Sequence, residues 1–467
     1  MSESRLASVF NSQRPKQQPK GVEPGQHVSK RVDTSRLGYE QQQLFDLMES
    51  TNKSMFITGR AGTGKSYLLR FFIQNTTKNV AVLAPTGVAA INVGGQTIHS
   101  FFRLPTITPI PEASLYPAPN RIQLYACLDA IVIDEASMVN AEIMNAIDRI
   151  LRNATQTNIP FGGKQMLLIG DLYQLPPVVN PQVRRYFDDR FGGIFFFNAP
   201  GIKECDLVVR EMKHVFRQKD PIFIDILNGV RDGSITDEKL ALLNERADVP
   251  LEEEDIAVVI APTKEAVSRI NNTMLDGIQE RMFTYEATVT GDIKENEFPV
   301  PKVLNLKVGA TVMMLRNDSD STSSKPEEGR RWANGTLGKV SRLSEGHIWV
   351  MINGVSHEID RMNWCKRQYT YNAKTKKLEN RVTAAIEQFP LMLSWAITIH
   401  KAQGATYQSV GIDLEDGMFA AGQTYVALSR CVDMQRIYLS RPVTREDILT
   451  SNEVKGFLDE KLPNPDR

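Results

Sequence analysis

Cysteine is scarce in this chain, and so is any excess of charge. Four cysteines among 467 residues (Cys127, Cys205, Cys365 and Cys431) leave no Cys-x-x-Cys pair. That excludes a disulfide scaffold, gives no support to a structural zinc, and fits reduced, mostly buried thiols in a soluble intracellular protein. The 55 lysines and arginines are matched by 55 aspartates and glutamates. Net charge therefore argues neither for nor against a polyanionic partner, and any nucleic-acid surface has to be local. No apolar run approaches the roughly 20 residues of a membrane span. What remains is ordinary globular composition, 42% hydrophobic and 24% charged, in a chain long enough for more than one core.

Residues 1–36 combine Ser, Gln, Pro and basic side chains with few apolar positions, the composition of a disordered, mildly basic tail. Within it "SRLASVF" is a candidate docking segment or transit signal. From residue 37 periodicity takes over. "EQQQLFDLMES" and "KSYLLRFFIQN" have helical spacing. "SMFITG", "NVAVLAPT", "DAIVIDEAS" and "KQMLLIGDLYQLPPV" are short apolar runs that stop at Gly, Pro or Asp. Strands alternating with helices predict a parallel sheet covered on both faces. The pattern recurs in "DIAVVIAPTKEAVSRINNTML", and "SWAITIHKAQG", "SVGIDL", "TYVALSRC" and "RIYLS" add further strands and turns. Two α/β units are expected, one over 37–208 and one over 209–300 and 390–455, with a short tail at 456–467. The 301–389 stretch has short strands, Gly turns and a polar loop at 316–331, which suggests a small β-barrel inserted in the second unit. The proline-rich 103–122 stretch reads as a projecting loop or pin.

"GRAGTGKS" (59–66) fits G-x-x-x-x-G-K-S/T between an expected strand and an expected helix. Glycines there let backbone N–H groups close on phosphate oxygens, and the helix N-terminus favours the same anion. The cradle set is Gly59, Ala61, Gly62, Thr63, Gly64, Lys65, Ser66 and Tyr67. Lys65 is expected to reach the β- and γ-phosphates of ATP and Ser66 to ligate Mg²⁺. "AIVIDEAS" (130–137) adds Asp134 for the Mg²⁺ shell and Glu135 to accept a proton from, or orient, the attacking water. Phosphoryl transfer also needs positive charge on the departing γ-phosphate. Arg217 in "HVFRQ" and Arg430 in "ALSRC" are the candidates, with surface salt bridges as the alternative. Gln174, in the loop after the fourth strand, is a candidate γ-phosphate sensor or else a solvated loop residue.

Taken together, "GRAGTGKS", "APTGVAAINVGGQTIHSFF", "IDEAS", "GDLYQLPPV", "VFRQ", "WAITIHKAQGAT" and "GQTYVALSRC" occur in one order from 37 to 440. In that order they resemble the Pif1-like DNA helicases of helicase superfamily 1. The resemblance implies an α/β fold of two RecA-like P-loop domains. It implies a small wedge insertion at 103–122 in the first and an SH3-like β-barrel insertion in the second. By position Gln41 resembles the adenine-reading glutamine, Gln174 the γ-phosphate sensor, and Arg217 and Arg430 the two arginine fingers; Gln403 and Gly404 fall at the nucleotide edge. The implied activity is ATP- and Mg²⁺-dependent 5′-to-3′ movement on single-stranded DNA. Unwinding would occur at single-strand/duplex junctions, in repair, replication or recombination.

Two stretches then pair up as the strand track: Pro85, Thr86, His99, Ser100 and Phe101 in the first unit, and Thr398, His400 and Lys401 in the second. Hydroxyls, imidazoles and N–H groups hold phosphates, and an aromatic offers a stacking face; the competing reading for a lone histidine is a core residue. "CKRQYTYNAKTKKLENR" (365–381) is a second basic candidate, or a charged hairpin tip. Two other functions stay open at this level. One is a translocase acting on RNA–DNA hybrids or displacing proteins; the other is a non-catalytic adaptor clamped by ATP.

Overall fold

The central strands of the first sheet send alternate side chains into two different cores. Phe56, Ile131, Ile133 and Leu168 face one core and Met55, Ile57, Val132 and Leu167 the other. A strand that is apolar on both faces can only be an interior strand of a covered sheet. In a computed structural model the described residues are 34, 36–247, 249, 258–291, 300–318, 331, 332, 334–372 and 377–462, with the backbone alone over 367–372 and 377–380. The expected tail at 1–33, the middle of the 316–331 loop, and the side chains of most of the 365–381 basic stretch, Tyr369 and Tyr371 included, lie outside them.

The first sheet is parallel throughout and has six strands: β1 (Met55–Gly59), β2 (Val80–Ala84), β3 (Gln96–Thr97), β4 (Ala130–Ile133), β5 (Gln165–Ile169) and β6 (Val208–Met212). They are ordered β3-β2-β4-β5-β1-β6. Helices α1 (Tyr39–Ser50) and α2 (Lys65–Asn75) cover one face. The helix Ala141–Thr155 covers the other, with Met144, Ile147 and Leu151 in its core. A second parallel sheet takes the strands Ala396–Thr398, Val259–Ala261, Val410–Ile412 and Ile437–Leu439 in that order. Around its core lie the helices Pro221–Asp232 and Gln423–Leu428. The fold is α/β with two such units. Among the described residues no helix is long and apolar enough to cross a membrane.

Several expected boundaries move. β6 pairs with β1, so the first unit runs past 208 to Met212. "TYVALSRC" is not a strand: Gln423–Leu428 is a helix, entered from Gly422 at φ 77°. The β-rich region begins before 301, because the strands Phe283–Glu286 and Thr288–Thr290 pair into it. Its largest sheet has five strands and ends with Leu391–Leu393. Beside it a long hairpin, Met362–Asn372 with Lys377–Gln388, reaches over the first unit. There Trp364 clusters with Ile91.

The 103–122 segment does not simply project. Leu104, Ile110 and Leu115 are buried in the first core. The Ile110 N–H donates to Glu142 at 2.8 Å, and Glu112 pairs with Arg149 on the Ala141–Thr155 helix. Nor is the described part of the expected 456–467 tail, up to residue 462, a simple tail. The helix Asn452–Lys461 returns from the second unit and puts Val454 and Leu458 into the first core. Phe457 stacks on Phe197 with centroids 4.2 Å apart. The two units are therefore joined at both ends of the second. Leu458→Ala should lower unfolding free energy by about 2–4 kcal/mol, as for other buried leucines; urea unfolding checks it.

Candidate nucleotide site and strand-binding face

The loop between β1 and α2 turns through Gly62 and Gly64, both left-handed (φ 80° and 85°). A Cβ at Gly62 would stand 2.5 Å from the Cβ of Arg217, and one at Gly64 2.6 Å from Nε2 of Gln41. Only glycine fits at either position. The same tightness seats Arg217 and Gln41 against the loop. Gln41 is buried; its Oε1 accepts the Gly38 N–H at 3.1 Å and its Nε2 donates to the Gly64 carbonyl at 3.4 Å. The Thr63 hydroxyl donates to the Arg60 carbonyl at 2.9 Å. Lys65 opens α2 and folds its ammonium back onto the carbonyls of Gly59 and Arg60, at 2.6 and 2.9 Å. Burial pushes its pKa down, against the pull of Asp171 and Glu135. Ser66 and Tyr67 are exposed, and the Tyr67 hydroxyl donates to the Arg36 carbonyl at 3.3 Å.

β4 delivers Asp134 and Glu135 to the same end of the sheet. Glu135 sits at φ 54°, ψ 43°, a left-handed conformation that a side chain rarely adopts without compensation. Burial first, then the neighbouring Asp134, pushes Glu135 up to about 7. Burial raises Asp134 as well. From the loop after β5, Gln174 is buried and donates through Nε2 to Asp171 Oδ2 at 3.3 Å.

The second unit closes over these groups. Gln403 donates through Nε2 to Glu135 Oε2 at 2.9 Å and to Gln174 Oε1 at 3.2 Å. The Ala61 N–H donates to the hydroxyl of Tyr425, 364 residues away, at 2.9 Å. Arg217 follows β6 and donates to the Ser429 carbonyl at 3.0 Å and to that of Gly404 at 3.4 Å. Arg430 is 1% exposed. It donates to the carbonyls of Val426 (2.9 Å) and Ala405 (3.3 Å) and to the hydroxyl of Ser429 (2.7 Å). Burial, then the charge of Arg430, pushes Arg217 down to about 9; burial also lowers Arg430. Neither guanidinium is ion-paired among the described residues, and neither is a surface salt bridge. Two desolvated cations in the cleft that holds the glycine loop favour an anion there.

The residues fit a nucleoside triphosphate: a glycine cradle, a lysine, two unpaired arginines and a buried carboxylate. For a divalent cation Ser66 and Asp134 supply only part of a shell. No group of three acidic, histidine or cysteine side chains stands ready for a metal among the described residues. Sequence reasoning missed Tyr425, Asp171 and Phe216. The Phe216 ring is 57% exposed, lies 4.4 Å from that of His214, and borders Gly64, so it offers a flat face beside Gln41.

The expected strand residues fall on a pair of matched turns. Thr86 caps Ala89 and Thr97 caps Ser100 in the first unit. In the second, Thr263 caps Ala266 and Thr398 caps Lys401. Pro85 precedes the first of these caps. Thr86 and Thr263 share φ −117° and ψ 156°, so "APT" and "TIH" build the same corner twice. His99 and Ser100 are half-buried, and Ser100 accepts from Gln96 Nε2 at 2.7 Å. His400 and Lys401 are exposed. Desolvation in the cleft and the charge of Lys264 lower both. Phe101 is a correction: it is fully buried against Phe102 and Tyr125 and has no face to offer a base.

A PIF1-like helicase model matches residues 36–240. The chain is 32% identical over 419 residues to the ATP-dependent DNA helicase Pif1 of Bdellovibrio bacteriovorus, covering 87% of this chain and 88% of that one. It is 34% identical over 397 residues to the human ATP-dependent DNA helicase PIF1, covering 82% of this chain but 57% of the human protein. Among solved structures, unliganded Pif1 from Bacteroides sp. superposes with a TM-score of 0.81 at 36% identity, over 91% of this chain and 96% of that one. The Bacteroides Pif1 complex with ADP-AlF4 gives the same TM-score, 0.81, at 35% identity over 91% and 96% of the two chains. Bacteroides Pif1 bound to ssDNA gives 0.65 at 36% identity, over 90% and 96%.

Glu135 holds its proton more tightly folded than unfolded, so stability should fall as pH rises from the ordinary 4.5 through about 7. Glu135→Gln, neutral throughout, should lose that dependence. Unfolding at about pH 5 and about pH 8 checks this: the variant should gain on the wild type at the higher pH, and an unchanged difference contradicts it.

Proposed function

The chain belongs to the PIF1-like helicase family and is an ATP-driven DNA helicase, and from that premise we propose that it steps 5′-to-3′ along single-stranded DNA and opens duplex at a junction. The observation that carries the reading is two guanidiniums without an ion pair among the described residues: Arg217, seated against the phosphate loop of the first unit and bonded to carbonyls of the second, and Arg430, buried in the second unit where its charge is felt by Glu135. The alternative of a static ATP-clamped adaptor leaves Glu135 and both arginines without a task.

Bound ATP would supply the phosphoanhydride that is hydrolysed, and Mg²⁺, held in part by Ser66 and Asp134, would neutralise phosphate charge. Around it each side chain has a defined change to make. Lys65 exchanges the Gly59 and Arg60 carbonyls for phosphate oxygen. Glu135 exchanges the Gln403 amide for a water, and its elevated pKa makes it a base suited to neutral pH. Gln174 and the two arginines turn toward the γ-phosphate, Phe216 lies flat on the base, and Gln41 reads its edge. Ser66 and Asp134 hold the metal.

Movement follows from where these groups are anchored. Arg430 and Gln403 ride with the sheet that carries Thr398, His400 and Lys401, while Arg217, seated on the cradle, bonds across to that unit at Ser429 and Gly404. The cradle rides with the sheet that carries Thr86, His99 and Ser100. Drawing the guanidiniums toward phosphate changes the spacing of the two phosphate-binding corners, and release restores it. Opening one base-pair step costs roughly 1.4 kcal/mol; binding alone meets such a cost without direction, whereas a two-corner grip linked to hydrolysis supplies direction. We read the 103–122 segment, braced on the Ala141–Thr155 helix, as the element that splits strands. The β-rich region, which we read as SH3-like, holds the strand from above.

Arg430→Ala should cut DNA-stimulated hydrolysis by about 10³-fold or more, the scale of an arginine finger, with a smaller change in nucleotide affinity. Duplexes with 5′ tails should be unwound and those with 3′ tails should not. Equal unwinding of both removes the assigned direction, and stronger stimulation by RNA than by DNA removes the assigned strand.

A further inference from the structure

Behind the cradle a buried ion pair crosses from one unit to the other. Arg231, in the last turn of the helix Pro221–Asp232, donates through Nη2 to Asp171 Oδ1 at 3.1 Å. Its Nη1 stands 3.6 Å from Glu211 on β6, and its guanidinium lies 4.4 Å over the ring of Tyr173. Asp171 is 1% and Arg231 8% exposed. The Nε of Arg231 has no partner, so the side chain is held at its two Nη ends alone, both by carboxylates of the first unit. An ion pair this deep contributes little net stability compared with an apolar contact, but breaking it strands a charge. Its value has to be sought in what else the carboxylate does.

Asp171 also accepts the Tyr173 N–H on Oδ1 at 3.2 Å and the Gln174 amide on Oδ2 at 3.3 Å. Because the NH₂ of Gln174 is taken by Asp171, its carbonyl oxygen is the end that faces Gln403, whose own NH₂ is shared with Glu135. A continuous chain thus runs Arg231, Asp171, Gln174, Gln403, Glu135. Three of its four bonds cross between the units, the Asp171–Gln174 bond alone lying within the first, so the amide of Gln174 cannot turn without the seating of one unit on the other being felt. We infer that Arg231 is a positioning residue: through Asp171 it sets the amide orientation of Gln174 and makes that orientation depend on how the second unit sits. The inference rests on the reading of Gln174 as the group that answers to the γ-phosphate. A lysine could keep the charge but could not bridge Asp171 and Glu211 with one planar fork.

The test is a double-mutant cycle on the full chain, measuring ssDNA-stimulated ATP hydrolysis, KM for ATP and melting temperature. Arg231→Met should lower kcat by about tenfold, the scale of a lost contact made mainly in the transition state, with KM within about threefold. In the Gln174→Ala background the same change should add almost nothing, and Arg231→Lys should fall between wild type and Arg231→Met. If Arg231→Met melts too low to assay, Arg231→Lys takes its place in the cycle. Additive losses, or a change in KM alone, overturn the role of Arg231. An unchanged kcat in Gln174→Ala overturns the reading of Gln174, and the inference with it.

Discussion

The side-chain amide of Gln403 bonds to Glu135, a residue 268 positions earlier and in another sheet. Most of what this molecule does depends on that kind of contact: polar groups of one α/β unit completing a polar site on the other. The units do share apolar contacts, at the Asn452–Lys461 helix and where Ala61 and Leu175 enter the second core. What links them at the nucleotide site is a set of directional bonds, from Gln403 to Glu135 and Gln174, from Ala61 to Tyr425, and from Arg231 to Asp171. Directional bonds tolerate little sliding, yet each is individually weak in net terms. An interface built this way can switch between seatings, whereas an apolar core of equal extent would resist.

The energetic logic lies in the arginines. Arg217 and Arg430 are desolvated and make no ion pair among the described residues; burial lowers both, and the charge of Arg430 weakens the hold of Arg217 on its proton further. Backbone carbonyls and a hydroxyl steady them without neutralising them. That leaves a standing preference for an anion at the cradle. On the opposite side of the cleft Glu135 is held near neutrality by burial and by Asp134. Opposed pKa shifts in one cleft are the signature of groups whose environments were set for charge transfer. The same arrangement would link the proposed DNA face to the nucleotide face. The strand ending in Thr398 delivers His400 to one and Gln403 to the other within a few residues.

Much of this was legible in the sequence because its signals are local. The strand, glycine loop and helix of residues 55–75 are contiguous, and the helix found, Lys65–Asn75, is the one its spacing predicts. The twinned "APT" and "TIH" corners are likewise short-range. Other features were hidden for physical reasons. The helix Gln423–Leu428 is buried on all sides, so it lacks the period that distinguishes helix from strand. Phe101 looked like a stacking ring because an aromatic beside two polar residues does not show which way it points. The Asn452–Lys461 helix and the 103–122 segment find their apolar partners on the Ala141–Thr155 side of the first unit, far away in sequence. Arg231 and Tyr425 were invisible because their partners lie 60 and 364 residues away.

The account stands or falls on whether nucleotide and strand change the seating of one unit on the other. Two distance labels report it most directly, one on exposed Lys53 in the first unit and one on exposed Glu238 in the second. The account predicts distinct distances for the free chain, the chain with single-stranded DNA, and the chain with DNA and a hydrolysis-resistant ATP analogue, with the last shift lost in Arg217→Ala/Arg430→Ala. A single distance in all three, in a protein that still unwinds duplex, would contradict it.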